Sequence, residues 1–358
     1  PMTRPLLWLL LGLWSLAATA EETLHYPADP EAGPAQPLII HAALDLPHVR
    51  PLLEAFHRHH PNIELTYRNL TTLELHQHFL DAPDAADVVL SSAMPWQYHL
   101  ANDGHAQPLE SDVARRWPAW AQWRGELFAF TFEPIVMVVH RDLIERFGEV
   151  RSHGDLLELL SDHADALAGR IVTYDPVRSG AGYTYAIEES RLSPRYWDLV
   201  SSLGRARTVL TGTTGEMLSG LEEGRYLLGY NLLGSYVRDA VADHPQLVMV
   251  VPDDYALVTQ RLAFIPRLAP HPESAALFMD YLLSEEGQRV IAEQTHLGAM
   301  HPALSGPGTA GALRDEVGDA LRPIAIGPGL LATLDRLKRE ALLARWRREF
   351  QREVPALR

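Results

Sequence analysis

Residues 38–90 alternate between two hydrophobic periods, and that alternation constrains the fold more than any other feature of the chain. Leu38-Ile39-Ile40-His41-Ala42 is a short apolar run and reads as a buried strand. Val49, Leu52, Leu53 and Phe56 follow at helical spacing, with Pro47 suited to the first turn. Pro61 closes that helix, and a strand is expected over residues 63–67. A second helix starts at Thr71 or Thr72 and runs through Leu75 and Phe79, before a third strand at Asp87-Val88-Val89-Leu90. Strand–helix–strand–helix–strand predicts a mostly parallel sheet covered by helices, the α/β class.

A long extended stretch over residues 129–139 is suited to crossing from one lobe to a second, after which the pattern restarts. Helices are expected over 142–147, 153–160, 273–283 and 285–293, and strands over 170–174, 226–230, 247–251 and 256–264. Leu331, Leu334, Leu337, Leu342, Leu343 and Trp346 recur at helical spacing near the end, with a basic outer face. The stretches 130–134 and 255–264 are the expected connections between the lobes. Both are apolar and lack a Gly-rich linker, which predicts hinge bending rather than free tumbling.

The 20 N-terminal residues read as a secretory signal peptide. Arg4 precedes an apolar run, and Ala18-Thr19-Ala20 offers a small-x-small cleavage site. Residues 21–36 are rich in Pro, Ala and Glu without a period and are expected to be a loose leader. The chain has no cysteine, which excludes disulfides, thiolate metal sites and Cys nucleophiles. A net charge of −15 argues against a nucleic-acid partner. No Gly-x-Ser-x-Gly, His-Glu-x-x-His or Walker pattern occurs, so binding rather than catalysis is expected, with no cofactor.

Four polar loops each follow a predicted strand, at the sheet edge where helix N-termini present free N–H groups. They carry Asp45; Ser91 and Ser92; Arg178, Ser179, Gly180 and Gly182; and Tyr230, Asn231, Ser235 and Tyr236. Arg178 offers a fork to a carboxylate or phosphate, and Gly180 and Gly182 permit close backbone approach. Tyr230 and Tyr236 leave a ferric-iron site open as an alternative. His57, His59 and His60 lack an acidic partner and read as solvated helix-end residues.

The segments DVVLSSAMPWQ, FTFEPIVMVVHR, YDPVRSGAGYTYA, LLGYNLLGSYV and FMDYLLSEEGQRVIAE resemble the type II periplasmic solute-binding proteins, in the branch for ferric ion and phosphorylated compounds. The resemblance implies two α/β lobes with mixed sheets, helices on both faces and two hinge crossovers. Lobe one is then expected over 37–130 and 264–358, and lobe two over 134–255. It also implies a monomer in the periplasm that holds a small anionic ligand for an inner-membrane ABC permease, or alternatively for a sensor kinase. Glu133, in the extended segment, joins the candidate ligand-binding residues. Ferric binders carry adjacent tyrosines, whereas this chain has Gly229-Tyr230-Asn231.

Overall fold

A computed structural model describes residues 22–352. The signal-peptide reading of residues 1–20 lies outside the described residues.

The first sheet is built on Gln36–Ala43, which pairs in parallel with Ile63–Asn69 on one side and Val88–Ser91 on the other. Leu38, Ile40, Leu65, Val88 and Leu90 have no exposed surface, as expected for strands covered on both faces. Leu46–His59 supplies a covering helix through Val49, Leu52, Leu53 and Phe56. Pro47 sits in its first turn, where a missing N–H costs nothing. Thr72–Asp81 starts with a capping box formed by Thr71 and Glu74. Leu262–Pro266 then joins antiparallel to Val88–Ser91, and Leu127–Ala129 joins antiparallel to Leu262–Pro266.

Residues 22–36 are not the loose leader that composition suggested for 21–36. Glu22–Tyr26 forms an edge strand antiparallel to Ile63–Asn69. Backbone pairing holds it there, and pairing needs no hydrophobic period in the sequence.

The second sheet centres on Glu133–His140, flanked by Leu228–Leu233 and Ala256–Thr259, both antiparallel to it. Ile171–Tyr174 pairs in parallel with Leu228–Leu233 and with Val209–Thr211. Two short crossovers join the sheets, residues 130–132 outward and residues 260–261 back. They bond to each other: the Phe130 N–H donates to the Arg261 carbonyl and the Arg261 N–H to Thr131 Oγ1, each at 3.0 Å.

The C-terminal region departs from the expected lobe division, in which 264–358 belonged wholly to lobe one. Leu321–Pro323 pairs with Ala256–Thr259 in the second sheet. Pro328–Thr333 then packs on Met94–Asn102 of the first lobe, and Arg336–Phe350 packs on Tyr196–Arg205 of the second. The two early crossovers are therefore not the sole connections. Apolar shape explains the last contact. Trp346 packs with Tyr196 and Val200, and its Nε1 donates to the Tyr196 hydroxyl at 3.2 Å. Gly204 admits the end of the helix, because a Cβ there would lie 1.7 Å from the Phe350 carbonyl oxygen.

Candidate functional site

A cleft of about 790 Å³ lies between the two sheets. Its walls come from the ends of strands and the starts of helices. Asp45, Thr71 and Ser92 stand on the first lobe, and Ser179, Thr213 and Tyr236 on the second. Several of these hydroxyls cap helices. Ser179 Oγ accepts from the Gly182 N–H at 2.9 Å and Thr213 Oγ1 from the Glu216 N–H at 3.1 Å. Helices entering the cleft by their N-termini bring positive dipole ends towards it from both lobes.

Arg261 forms part of the same wall, at the crossover between the lobes, and is only 1% exposed. Its guanidinium forks onto Glu133, from Nε to Oε2 at 2.9 Å and from the second terminal nitrogen to Oε1 at 3.3 Å. The other terminal nitrogen donates to the Ala43 carbonyl at 2.8 Å. Glu133 also accepts from Thr131 Oγ1 at 2.7 Å and from Ser235 Oγ at 2.6 Å. Burial alone would lower the Arg261 pKa, but the Glu133 carboxylate outweighs it and holds the group above its ordinary value. Three of five guanidinium N–H groups are thus bound to protein, and the other two have no protein partner among the described residues.

The lobes also touch across the cleft. The Gly180 N–H donates to Thr72 Oγ1 at 3.0 Å, and the Asp45 N–H to the Tyr236 hydroxyl at 2.9 Å. The His48 ring stacks on Tyr236 with centroids 3.7 Å apart. Asp45 Oδ1 accepts from Asn69 Nδ2 at 3.0 Å, which fixes its carboxylate at the start of Leu46–His59.

A sequence-family model described as bacterial extracellular solute-binding protein matches residues 47–294. The chain belongs to that family. A substrate-binding protein of an ABC transporter from Agrobacterium tumefaciens is 34% identical, with a TM-score of 0.88 over 93% of this chain and 99% of its own. Two more distant structures share the fold. AfuA from Actinobacillus pleuropneumoniae, with fructose-6-phosphate bound, is 16% identical with a TM-score of 0.73 over 89% of this chain and 100% of its own. Iron-bound HitA from Pseudomonas aeruginosa is 18% identical with a TM-score of 0.65 over 88% and 99%. No curated sequence matches the chain.

In this solute-binding protein the expected site residues divide sharply. Asp45, Ser92, Ser179 and Tyr236 lie on the cleft wall. Ser91 is buried beside it, where its Oγ accepts from the Ala93 N–H at 3.1 Å. Glu133 and Ser235 stand behind Arg261 and orient it rather than facing the cleft. Gly180 leaves room for the first lobe, since a Cβ there would sit 3.1 Å from Thr72 Oγ1. Gly182 permits approach to Tyr174, 2.6 Å from the absent Cβ, not to a ligand.

Arg178 is placed apart from these residues. It is exposed and away from the cleft wall, with Nε on Asp175 at 3.1 Å and a terminal nitrogen on the Leu210 carbonyl at 2.9 Å. Tyr230 is buried in the second lobe and donates to Glu189. Burial, reinforced by that carboxylate, pushes its pKa well up, so it is held protonated away from the cleft. Asn231 takes a left-handed backbone (φ 66°) beside a small internal cavity shared with Tyr230. The structure therefore does not bring Tyr230 and Tyr236 to one iron site. Among the described residues, no group of three or more His, Cys, Asp or Glu side chains is placed to hold a metal ion.

Sequence reasoning overlooks Arg261, which stands at the start of Arg-Leu-Ala-Phe, and Arg68, a half-buried cation on the cleft wall at the end of strand Ile63–Asn69. For Arg261 the available signal is a lone cation beside an apolar run, because such a group is buried only with a partner.

Proposed function

We propose that this solute-binding protein captures a small anionic metabolite, phosphorylated or carboxylated, and presents it to an ABC permease at the inner membrane. It would act in the periplasm as a monomer, by binding rather than by catalysis. The observation that carries the reading is Arg261, a buried guanidinium held by Glu133 with free N–H groups at the crossover between the lobes. An acid group there gains a charge-assisted fork, with helix N-termini nearby from both lobes. Asp45 adds a fixed acceptor across the cleft, which suits a ligand that also carries hydroxyl or amino donors. The ABC transporter component from Agrobacterium tumefaciens supports the permease as partner. Iron is disfavoured because Tyr230 is turned onto Glu189.

Isothermal titration against a panel of sugar phosphates, phosphate esters and hydroxy acids tests the reading. Arg261→Lys keeps the charge and removes the fork. Its expected cost is roughly 1.5–3 kcal/mol, about ten- to a hundred-fold in affinity for the ligand found. A full panel without binding, together with a ferric-tyrosinate absorbance band on addition of ferric citrate, would overturn it.

A further inference from the structure

The acidic character of the chain is not evenly spread. Residues 336–352 carry seven of its 31 Lys and Arg residues and two Glu, so the excess negative charge lies wholly on the rest of the protein. Most of this segment is the helix Arg336–Phe350. Its inner face is occupied by Leu342, Trp346 and Phe350 against Tyr196 and Val200. Its outer face exposes Lys338, Arg345, Arg347 and Arg348, with Ala341 and Ala344 between them and Leu337 67% exposed. Arg336 and Arg352 pair loosely with Glu340 and Glu349, at 3.6 and 3.5 Å. Lys338, Arg347 and Arg348 have no acidic partner among the described residues.

The charge continues past the helix end. Arg352 meets Arg195 and Arg205 around a surface groove of about 490 Å³, with Asp198 the one acid on its wall. Ser201 and Ser202 line its base; Arg205 donates to Ser202 Oγ at 2.8 Å, and Ser201 Oγ donates to Glu349 at 3.1 Å. Three exposed guanidinium groups around a serine-lined hollow suit a phosphate monoester or diester.

We propose that the outer face of Arg336–Phe350 and the adjoining arginine groove form a docking surface for the anionic headgroups of a phospholipid membrane. The helix is about 22 Å long at 1.5 Å per residue. Its cations are spread over that length among small side chains, a pattern that matches a plane of diffuse negative charge. The acidic remainder of the molecule would be repelled from the same plane, so the helix sets which face approaches. This surface is separate from the cleft, and its role does not depend on the ligand bound there.

The test is co-sedimentation of the full chain with vesicles containing phosphatidylglycerol, against vesicles of phosphatidylcholine alone. Binding to the anionic vesicles at low ionic strength, weakened by salt, is expected. The triple variant Lys338→Gln, Arg347→Gln, Arg348→Gln should lose about a hundred-fold in vesicle affinity, at about 1 kcal/mol per cation. Arg205→Gln with Arg352→Gln should lose less, with circular dichroism and cleft-ligand affinity unchanged in both variants. No vesicle binding by the native chain, or equal binding by the triple variant, overturns the proposal. So does saturation of the groove by inorganic phosphate without vesicle binding, which would mark a free-anion site. Retained binding to the permease in neutral nanodiscs, lost in the triple variant while vesicles are ignored, would assign the face to an acidic protein surface instead.

Discussion

Two ion clusters in this molecule differ in which way their spare chemistry points. At the crossover, Glu133 and Arg261 share a fork beside the cleft. Inside the second lobe, His153 lies between Asp254 and Glu189, with Nδ1 on Asp254 at 2.9 Å and Nε2 3.5 Å from Glu189. There Tyr230 donates to Glu189, and the Tyr255 ring stacks on His153 at 3.8 Å. The first cluster has guanidinium N–H groups without a protein partner beside the cleft; the second ties helix Gly180–Leu192 to the loop carrying the exposed Asp254. A buried charge is thus no sign of a binding site until its unspent hydrogen bonds are located.

The largest expected effect separates the two by breaking the first. Arg261→Met strands the Glu133 carboxylate in the interior and should cost about 3–5 kcal/mol in urea unfolding, along with ligand binding. The double variant Glu133→Gln, Arg261→Gln removes both charges and should recover much of the stability without recovering affinity. Recovery of both would mean that the pair is only a structural tie.

Next in size is the pH response of the second cluster. Burial alone would lower the His153 pKa, but the bonds to Asp254 and Glu189 outweigh it and raise the group to about 9. Its folded pKa is thus above its unfolded value, so its stabilisation is fully present below about pH 6.5 and is lost as pH rises through about 9. Asp254 runs the other way: burial would raise it, but the bond to His153 holds it down to about 2. Its contribution is present above about pH 4 and disappears as pH falls through about 2. Unfolding free energy measured from pH 3 to 10 should show an alkaline loss on the order of 2–3 kcal/mol, absent in His153→Asn. An identical alkaline limb in that variant would remove His153 as its source.

Tyr230→Phe should cost about 1.5–3 kcal/mol in stability, the value of a hydrogen bond to a buried carboxylate, with ligand affinity unchanged. A large affinity loss would place Tyr230 in contact with ligand after all. Smallest is Arg178→Ala, an exposed side chain, for which calorimetry should find ligand affinity within about two-fold of the parent and little change in stability.

The contrasts between like residues show how far the chain could be read. Arg178 stands in a Gly-rich loop at a strand end, the stronger local setting for an anion, yet its side chain folds back onto Asp175 and Leu210. Arg261 stands in a run that reads as one strand, yet that run breaks at Gln260 and Arg261 to change sheets. Tyr230 and Tyr236 are six residues apart, but the register against Glu133–His140 shifts between Gly229 and Leu232. Asn231, at φ 66°, lies within that irregularity. Tyr230 sits on the strand and enters the lobe interior, whereas Tyr236 lies in the first turn of the following helix, Gly234–Asp243, and reaches the cleft.

Local periodicity determined the α/β class, most helix and strand positions, and the loops gathered at strand ends, because those depend on residues close together along the chain. Motifs distributed along the chain determined the likeness to solute-binding proteins. Only the tertiary structure decided the remainder: that Glu22–Tyr26 is an edge strand, that the last helix lies on the second lobe, and that Arg261 rather than Arg178 faces the cleft. Each of these rests on a partner far away in sequence, whether a strand to pair with, a glycine that admits a helix end, or a carboxylate 128 residues distant. Pairing, burial and charge compensation are properties of contact in space, and the order of residues along the chain does not record them.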